Sequence, residues 1–293
     1  MQPESLAGEY AGLFITLAVI FGLMVGSFLN VVIHRVPKMM QNTWQRECCD
    51  LLEIENPASD KQPATYNLLK PDSHCPKCKT PIKPWHNVPI ISYLLLKGRC
   101  SQCSEPISIR YPTIELVTGV LSGFIAFQFG FTEQALAALL LTWALIALTM
   151  IDVDHQLLPD SITLPLLWLG ILINSQGLFT DLNSAVYGAI AGYMVLWSVF
   201  WLFKLLTGKE GMGYGDFKLL AALGAWMGWQ ALPLVIILSS LVGAVIGIAG
   251  ILIMGRDKNV PIPFGPYLAI AGWIAFLWGD VITQTYFQIA GFQ

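Results

Sequence analysis

Apolar residues along this chain come in long blocks, not in the alternation of strands or the short amphipathic repeats of soluble helices. The first block covers 11–33. A polar stretch follows, and then blocks near 113–130, 134–151, 162–178, 183–207, 217–230, 231–254 and 265–283. A membrane-spanning helix needs about 20 mostly apolar residues, within a range of about 17–25. The pattern predicts an all-α polytopic membrane protein of about eight transmembrane helices, with one polar insert between the first two. The chain then divides into a first transmembrane helix in 1–33, a cytoplasmic insert in 34–111 and a seven-helix membrane core in 112–293. The weakest block is 217–230, which is short and carries Ala221, Ala222, Gly224, Ala225 and Gly228. Small residues like these suit a helix packed against other helices better than one facing lipid. Glu4 and Glu9 precede the first block without any Lys or Arg, so it is expected to be a retained span and not a signal peptide.

Charge sharpens the division. Charged residues make up 12% of the 293, against about 25% in soluble domains. The insert holds 11 of the 16 Lys and Arg residues. With the N-terminus outside, the inside segments are 34–111, 152–161, 208–216 and 255–264. Every Lys and Arg then lies in one of them or at a helix end touching one, as the positive-inside rule requires. Both termini are thereby expected outside and the insert in the cytoplasm. The net charge of −3 gives no basic surface for nucleic acid.

Within the insert lie Cys75-Pro76-Lys77-Cys78 and Cys100-Ser101-Gln102-Cys103. Two thiolates at this spacing form a knuckle that grips one metal ion, and two knuckles complete a tetrahedral zinc site of the zinc-ribbon kind. Disulfides are disfavoured in a reducing cytosol, and a redox C-x-x-C would sit in a thioredoxin-like context that is absent. Four thiolates leave no position for water or substrate, so the expected zinc is structural, and it supplies part of the insert's folding free energy. His34, His74, His86 and His155 form no H-E-x-x-H motif. Cys48 and Cys49 fall outside the quartet and are read as ordinary reduced thiols.

Acidic residues outside the insert cluster at two inside junctions. One is the stretch from Asp152 through Asp154 to Asp160, directly after the third span. The other is Gly211-Met212-Gly213-Tyr214-Gly215-Asp216, before the sixth. Two carboxylates brought together cannot both ionise easily and would share a proton, the arrangement an aspartic protease needs. Spacing alone leaves Asp154 a second candidate for the first acid, and Asp160 is placed to cap the following helix. The glycines match part of a nucleotide fingerprint. That motif needs a strand before it and a soluble helix after it, and here both flanks are membrane segments. They serve instead to bring backbone close to a peptide or to the partner aspartate. A transporter is a competing class, but its acids belong near the midplane. A zinc-ribbon docking factor is another, for which eight spans are excessive.

Gly213-Tyr214-Gly215-Asp216 matches the G-x-G-D motif of membrane aspartic proteases. With the acidic stretch and the four-cysteine insert, the chain resembles the type IV prepilin leader peptidases. The resemblance runs end to end. It takes in 26–35 (GSFLNVVIHR), both C-x-x-C pairs, Arg110-Tyr111-Pro112 with Glu115, and 261–266 (PIPFGP). It implies a bifunctional inner-membrane enzyme acting on type IV prepilins and type II secretion pseudopilins. Such an enzyme cleaves a short basic leader at the cytoplasmic face and then methylates the new N-terminus from S-adenosylmethionine. Carried onto this chain, the aspartyl pair is Asp152 and Asp216, and the zinc ligands are Cys75, Cys78, Cys100 and Cys103. Glu210, Asp154 and Asp160 are expected to favour a basic leader through their charge.

Overall fold

In a bilayer every backbone N–H and C=O must be satisfied within the segment, and uninterrupted apolar blocks therefore fold as helices. The computed structural model describes residues 3–54, 66–255 and 262–291. Among them there are helices and isolated bridges but no strand. The chain divides into two compact units, Met1–Trp143 and Ala144–Gln293.

The first unit contains α1 (Pro3–Leu51), a 3-10 turn (Pro84–Asn87), α2 (Ile91–Leu95) and α3 (Arg110–Phe129). It also holds the beginning of α4 (Glu133–His155), which ends in the second unit. Helix α1 does not stop where the first apolar block stops. Its 49 residues span about 73 Å at 1.5 Å each, far beyond a hydrocarbon core of about 30 Å. It packs on α3 through small residues: Gly22 lies against Ser122, and Gly26 against the backbone of Glu115. Arg35, buried on α1, donates to the carbonyls of Asn67 (3.0 Å) and Pro71 (2.6 Å) and so ties the polar insert to the helix.

The second unit contains α5 (Asp160–Asn174), α6 (Leu182–Thr207), α7 (Tyr214–Met227), a 3-10 turn (Trp229–Ala231), α8 (Leu232–Met254) and α9 (Gly265–Ile289). Helix α7 is its centre, packed against α5, α6 and α9. Asp216, Phe217 and all of 219–226 are buried. Gly224 of α7 and Gly188 of α6 meet backbone to backbone, a contact that no side chain at either position would allow. The C-terminal carbonyls of α7, orphaned by the helix end, are taken by Asn174: its Nδ2 donates to Ala225 O (2.8 Å) and Trp226 O (3.0 Å).

Six described helices are long and apolar enough to cross a membrane: α1, α3, α4, α6, α8 (with the preceding turn) and α9. The chain is a multi-pass membrane protein. The blocks at 162–178 and 217–230 fold as shorter helices of 15 and 14 residues, about 22 and 21 Å long. Helix α7 is enclosed by protein, so its length answers to its neighbours and not to lipid thickness.

Candidate active site and cysteine cluster

Asp152 occupies the last turn of α4, following the buried Ile151, and Asp216 the first turn of α7; each is 5% exposed. Each carboxylate receives one backbone amide. Gly213, the residue capping α7, donates to Asp216 Oδ2 at 3.2 Å. Gly265, the first residue of α9, donates to Asp152 Oδ2 at 3.0 Å. The second contact uses a helix N-terminus, where N–H groups lack intrahelical partners and favour a negative charge. The two carboxylates interact electrostatically and line one cavity of about 280 Å³.

Glycine is required around this pair by close approach. A methyl group on Gly265 would stand 2.6 Å from Asp152 Oδ2, and one on Gly215 would stand 2.6 Å from Leu158 Cβ. Leu158 and Phe264 form apolar walls of the cavity, and Gly211, Met212 and Gly213 form a rim. Asp152, Asp216 and Glu210 bring three carboxylates to the lining, with no Lys or Arg among the described residues that line it. Paired acids with one neutral donor each, facing a shared space, can exchange protons with a water held between them.

The structure sorts the acids that spacing left open. Asp152, Asp216 and Glu210 converge. Asp154 is exposed and does not line the cavity. Two residues along a helix turn the side chain about 200° away. Asp160 is the first residue of α5, whose capping position belongs to Pro159. Both of its oxygens accept from Lys218 Nζ at 2.7 Å, so it ties α5 to α7 instead of capping a helix end. Glu210 is paired with Lys204 at 2.8 Å on the cavity's edge. Sequence reasoning assigned no role to Gly265; the signal available was Gly265-Pro266 opening a span, since proline favours the first turn of a helix.

The insert's cysteines gather in the first unit. Their four sulfurs all lie within 4.8 Å of one another, with Cys75 to Cys103 at 3.7 Å and Cys78 to Cys100 at 4.0 Å. Four thiolates bound about 2.3 Å from a central ion stand about 3.8 Å apart, so the donor set fits a tetrahedral metal. All six cysteines are free thiols. The two knuckles are built alike. In each, the first cysteine's N–H donates to a carbonyl five residues on, at Thr80 (3.0 Å) and Glu105 (2.8 Å). Each also turns through a positive φ, at Lys79 (58°) and Ser104 (57°). The Thr80 hydroxyl, and then its amide, hydrogen-bond to the Cys78 sulfur and hold that thiol's pKa down at about 6. A lowered pKa favours the thiolate, the form that binds metal.

Two family models match the chain. Residues 20–129 match the bacterial peptidase A24 N-terminal domain, and residues 139–248 match the type IV leader peptidase family. A protein of Pseudomonas aeruginosa named prepilin leader peptidase/N-methyltransferase is 59% identical over 280 residues, 96% of each chain. The chain belongs to the type IV leader peptidase family. Proteins of the same name from Stutzerimonas stutzeri and Neisseria gonorrhoeae are 60% identical over 290 residues (99% of each chain) and 53% identical over 282 residues (96% of each). No solved structure matches the chain. Within the type IV leader peptidase match lie both carboxylates of the cavity, and within the N-terminal match lie all four clustered cysteines.

Proposed function

We propose that this type IV leader peptidase is bifunctional. It cuts the basic leader from type IV prepilins and type II secretion pseudopilins, using Asp152 and Asp216 as its aspartyl pair. It then methylates the new N-terminal amine with S-adenosylmethionine as the methyl-donating substrate. The observation that carries the peptidase reading is the convergence of two buried carboxylates, from α4 and α7, on one cavity. The printed name of the relatives supports the second activity.

In the cleavage step one carboxylate removes a proton from water as its oxygen attacks the scissile carbonyl. The other donates a proton to the developing oxyanion, and the tetrahedral intermediate collapses as the leaving amine is protonated. The Gly213 and Gly265 amides hold the two acids in place throughout. The substrate's own apolar segment lies in the bilayer beside the spans, which fixes the scissile bond near the pair. Glu210 offers a basic leader a carboxylate that would exchange its Lys204 partner for a leader cation. In methylation the freed amine attacks the sulfonium-bound methyl group, releasing the thioether and a proton.

The distribution of Lys and Arg supports both termini outside and the site facing the cytoplasm, and the bacterial relatives support an inner-membrane location. Residues 34–111 then form a cytoplasmic insert between the first span (1–33) and the core (112–293), with structural zinc on Cys75, Cys78, Cys100 and Cys103. The zinc fastens the two knuckles together.

The test is mass spectrometry of a prepilin incubated with purified protein and S-adenosylmethionine. The native chain should remove the leader and add one methyl group. Asp152→Asn and Asp216→Asn should each lower cleavage by about 100-fold or more, as expected for loss of a general acid or base. Cleavage persisting in either variant would overturn the assignment.

A further inference from the structure

The polar insert contains a stretch that is not polar. Around α2, Trp85, Val88, Ile91, Leu94 and Leu95 are all exposed, with Trp85 at 63%, Leu94 at 67% and Leu95 at 77%. A contiguous apolar surface of this kind marks a place where something other than water is met. Three further features say what.

The first is depth. Glu115 lies five residues into α3, one of the membrane-crossing helices, about 7.5 Å along its axis from Arg110. It is buried against Gly26 and bonds to Ser27 of α1. Its Oε2 accepts the Ile90 N–H at 2.8 Å. The insert is therefore held by a buried carboxylate at the first turns of α3, the end of a membrane-crossing helix.

The second is the turn at that contact. Ile90 has φ 59° and ψ −49°, a conformation that a β-branched residue rarely adopts, and the Ile91 amide donates back to Pro89 O in a γ-turn. Such a conformation persists where its surroundings over-determine it, and here Glu115 supplies that constraint. Directly after this reversal come Ile91, Leu94 and Leu95 of α2. The third is charge. From 82 to 97 there is no acidic residue, while Lys83 and Lys97 lie within the stretch and Arg99 just beyond it. Lys83 Nζ stands 5.4 Å over the Trp85 ring, so one cation rides on an exposed aromatic.

Apolar side chains, an exposed tryptophan and cations without acids, at the depth of a span's end, are the composition of a segment lying in a membrane interface. We propose that residues 82–97 seat α2 among the acyl chains and headgroups of anionic phospholipids, at a depth set by the Glu115–Ile90 hydrogen bond. This rests on α1 and α3 crossing the membrane and not on the reaction assigned above, so its test needs no activity measurement.

The test uses the full chain in nanodiscs of phosphatidylethanolamine and phosphatidylglycerol. A photo-crosslinking residue is placed at Leu94, at Leu95 or, as a control, at the exposed Gln102. Irradiation and mass spectrometry should find phospholipid adducts as the dominant product at 94 and 95, and their loss at 102. Replacing phosphatidylglycerol by phosphatidylcholine should cut the yield several-fold. Glu115→Ala in the Leu94-labelled chain should lower lipid adducts, and Glu115→Gln, which keeps an oxygen acceptor, should restore them. Adducts chiefly to this chain's own peptides, adducts formed only when a prepilin is added, or equal lipid labelling at 102 would overturn the proposal. Yield indifferent to Glu115→Ala would overturn the part given to the hydrogen bond.

Discussion

Among the described residues each aspartate of the cavity is steadied by one glycine amide, and the two glycines are not equivalent. Gly213 lies three residues before Asp216, within one turn, whereas Gly265 lies 113 residues after Asp152. The local partner was legible, because G-x-G-D announces a helix start beside an acid. The distant one was not, since nothing in a linear pattern couples 265 to 152. Spacing could not separate Asp152 from Asp154; helix phase places the first on the cavity and leaves the second exposed. Gly265→Ala gives the direct check on the distant contact. Its methyl group would press on Asp152 Oδ2, and displacing a reacting group by about 1 Å costs about 100-fold in rate. Cleavage measured on a prepilin should fall by about that factor, while methylation of an already cleaved pilin should be unchanged.

Among the elements, the six long spans followed from block length alone, because bilayer thickness imposes it. The lengths of α5 and α7 did not follow, since α7 is enclosed by protein and α5 is ended by a contact with it. Asn174 ends α5 by turning to the end of α7, where it also accepts the Phe179 and Thr180 amides at 3.0 and 3.2 Å. The cysteine knuckles were legible from their spacing. Their internal hydrogen bonds close each loop separately, and across the pair Lys77 reaches Glu105 at 2.7 Å on an exposed surface. Exposed pairs of this kind contribute little, and in the reading proposed above zinc docks one knuckle on the other. Removing it with a chelator should make 66–109 cleavable by a soluble protease, with α1 and α3 still protected. Limited proteolysis with and without added zinc checks this.

For the molecule as a whole, the carboxylate cavity and the cysteine cluster fall in different compact units. Every residue lining the aspartyl cavity lies in the second unit, and the cysteine cluster lies in the first. On the reading that the cysteine-bearing insert serves the proposed methyl transfer, Cys75→Ser or Cys100→Ser should sharply reduce methylation while leaving leader removal within about threefold of native. Mass spectrometry of the product separates the two outcomes. The burial of α7 carries one more consequence, in time instead of space. A helix enclosed on every side opens only with its whole unit, so amide protons of 219–226 should be among the last to exchange with deuterated solvent. Those of the exposed 208–211 loop should be among the first. A substrate then meets Asp216 on a helix that keeps still, beside an exposed loop that is free to open first.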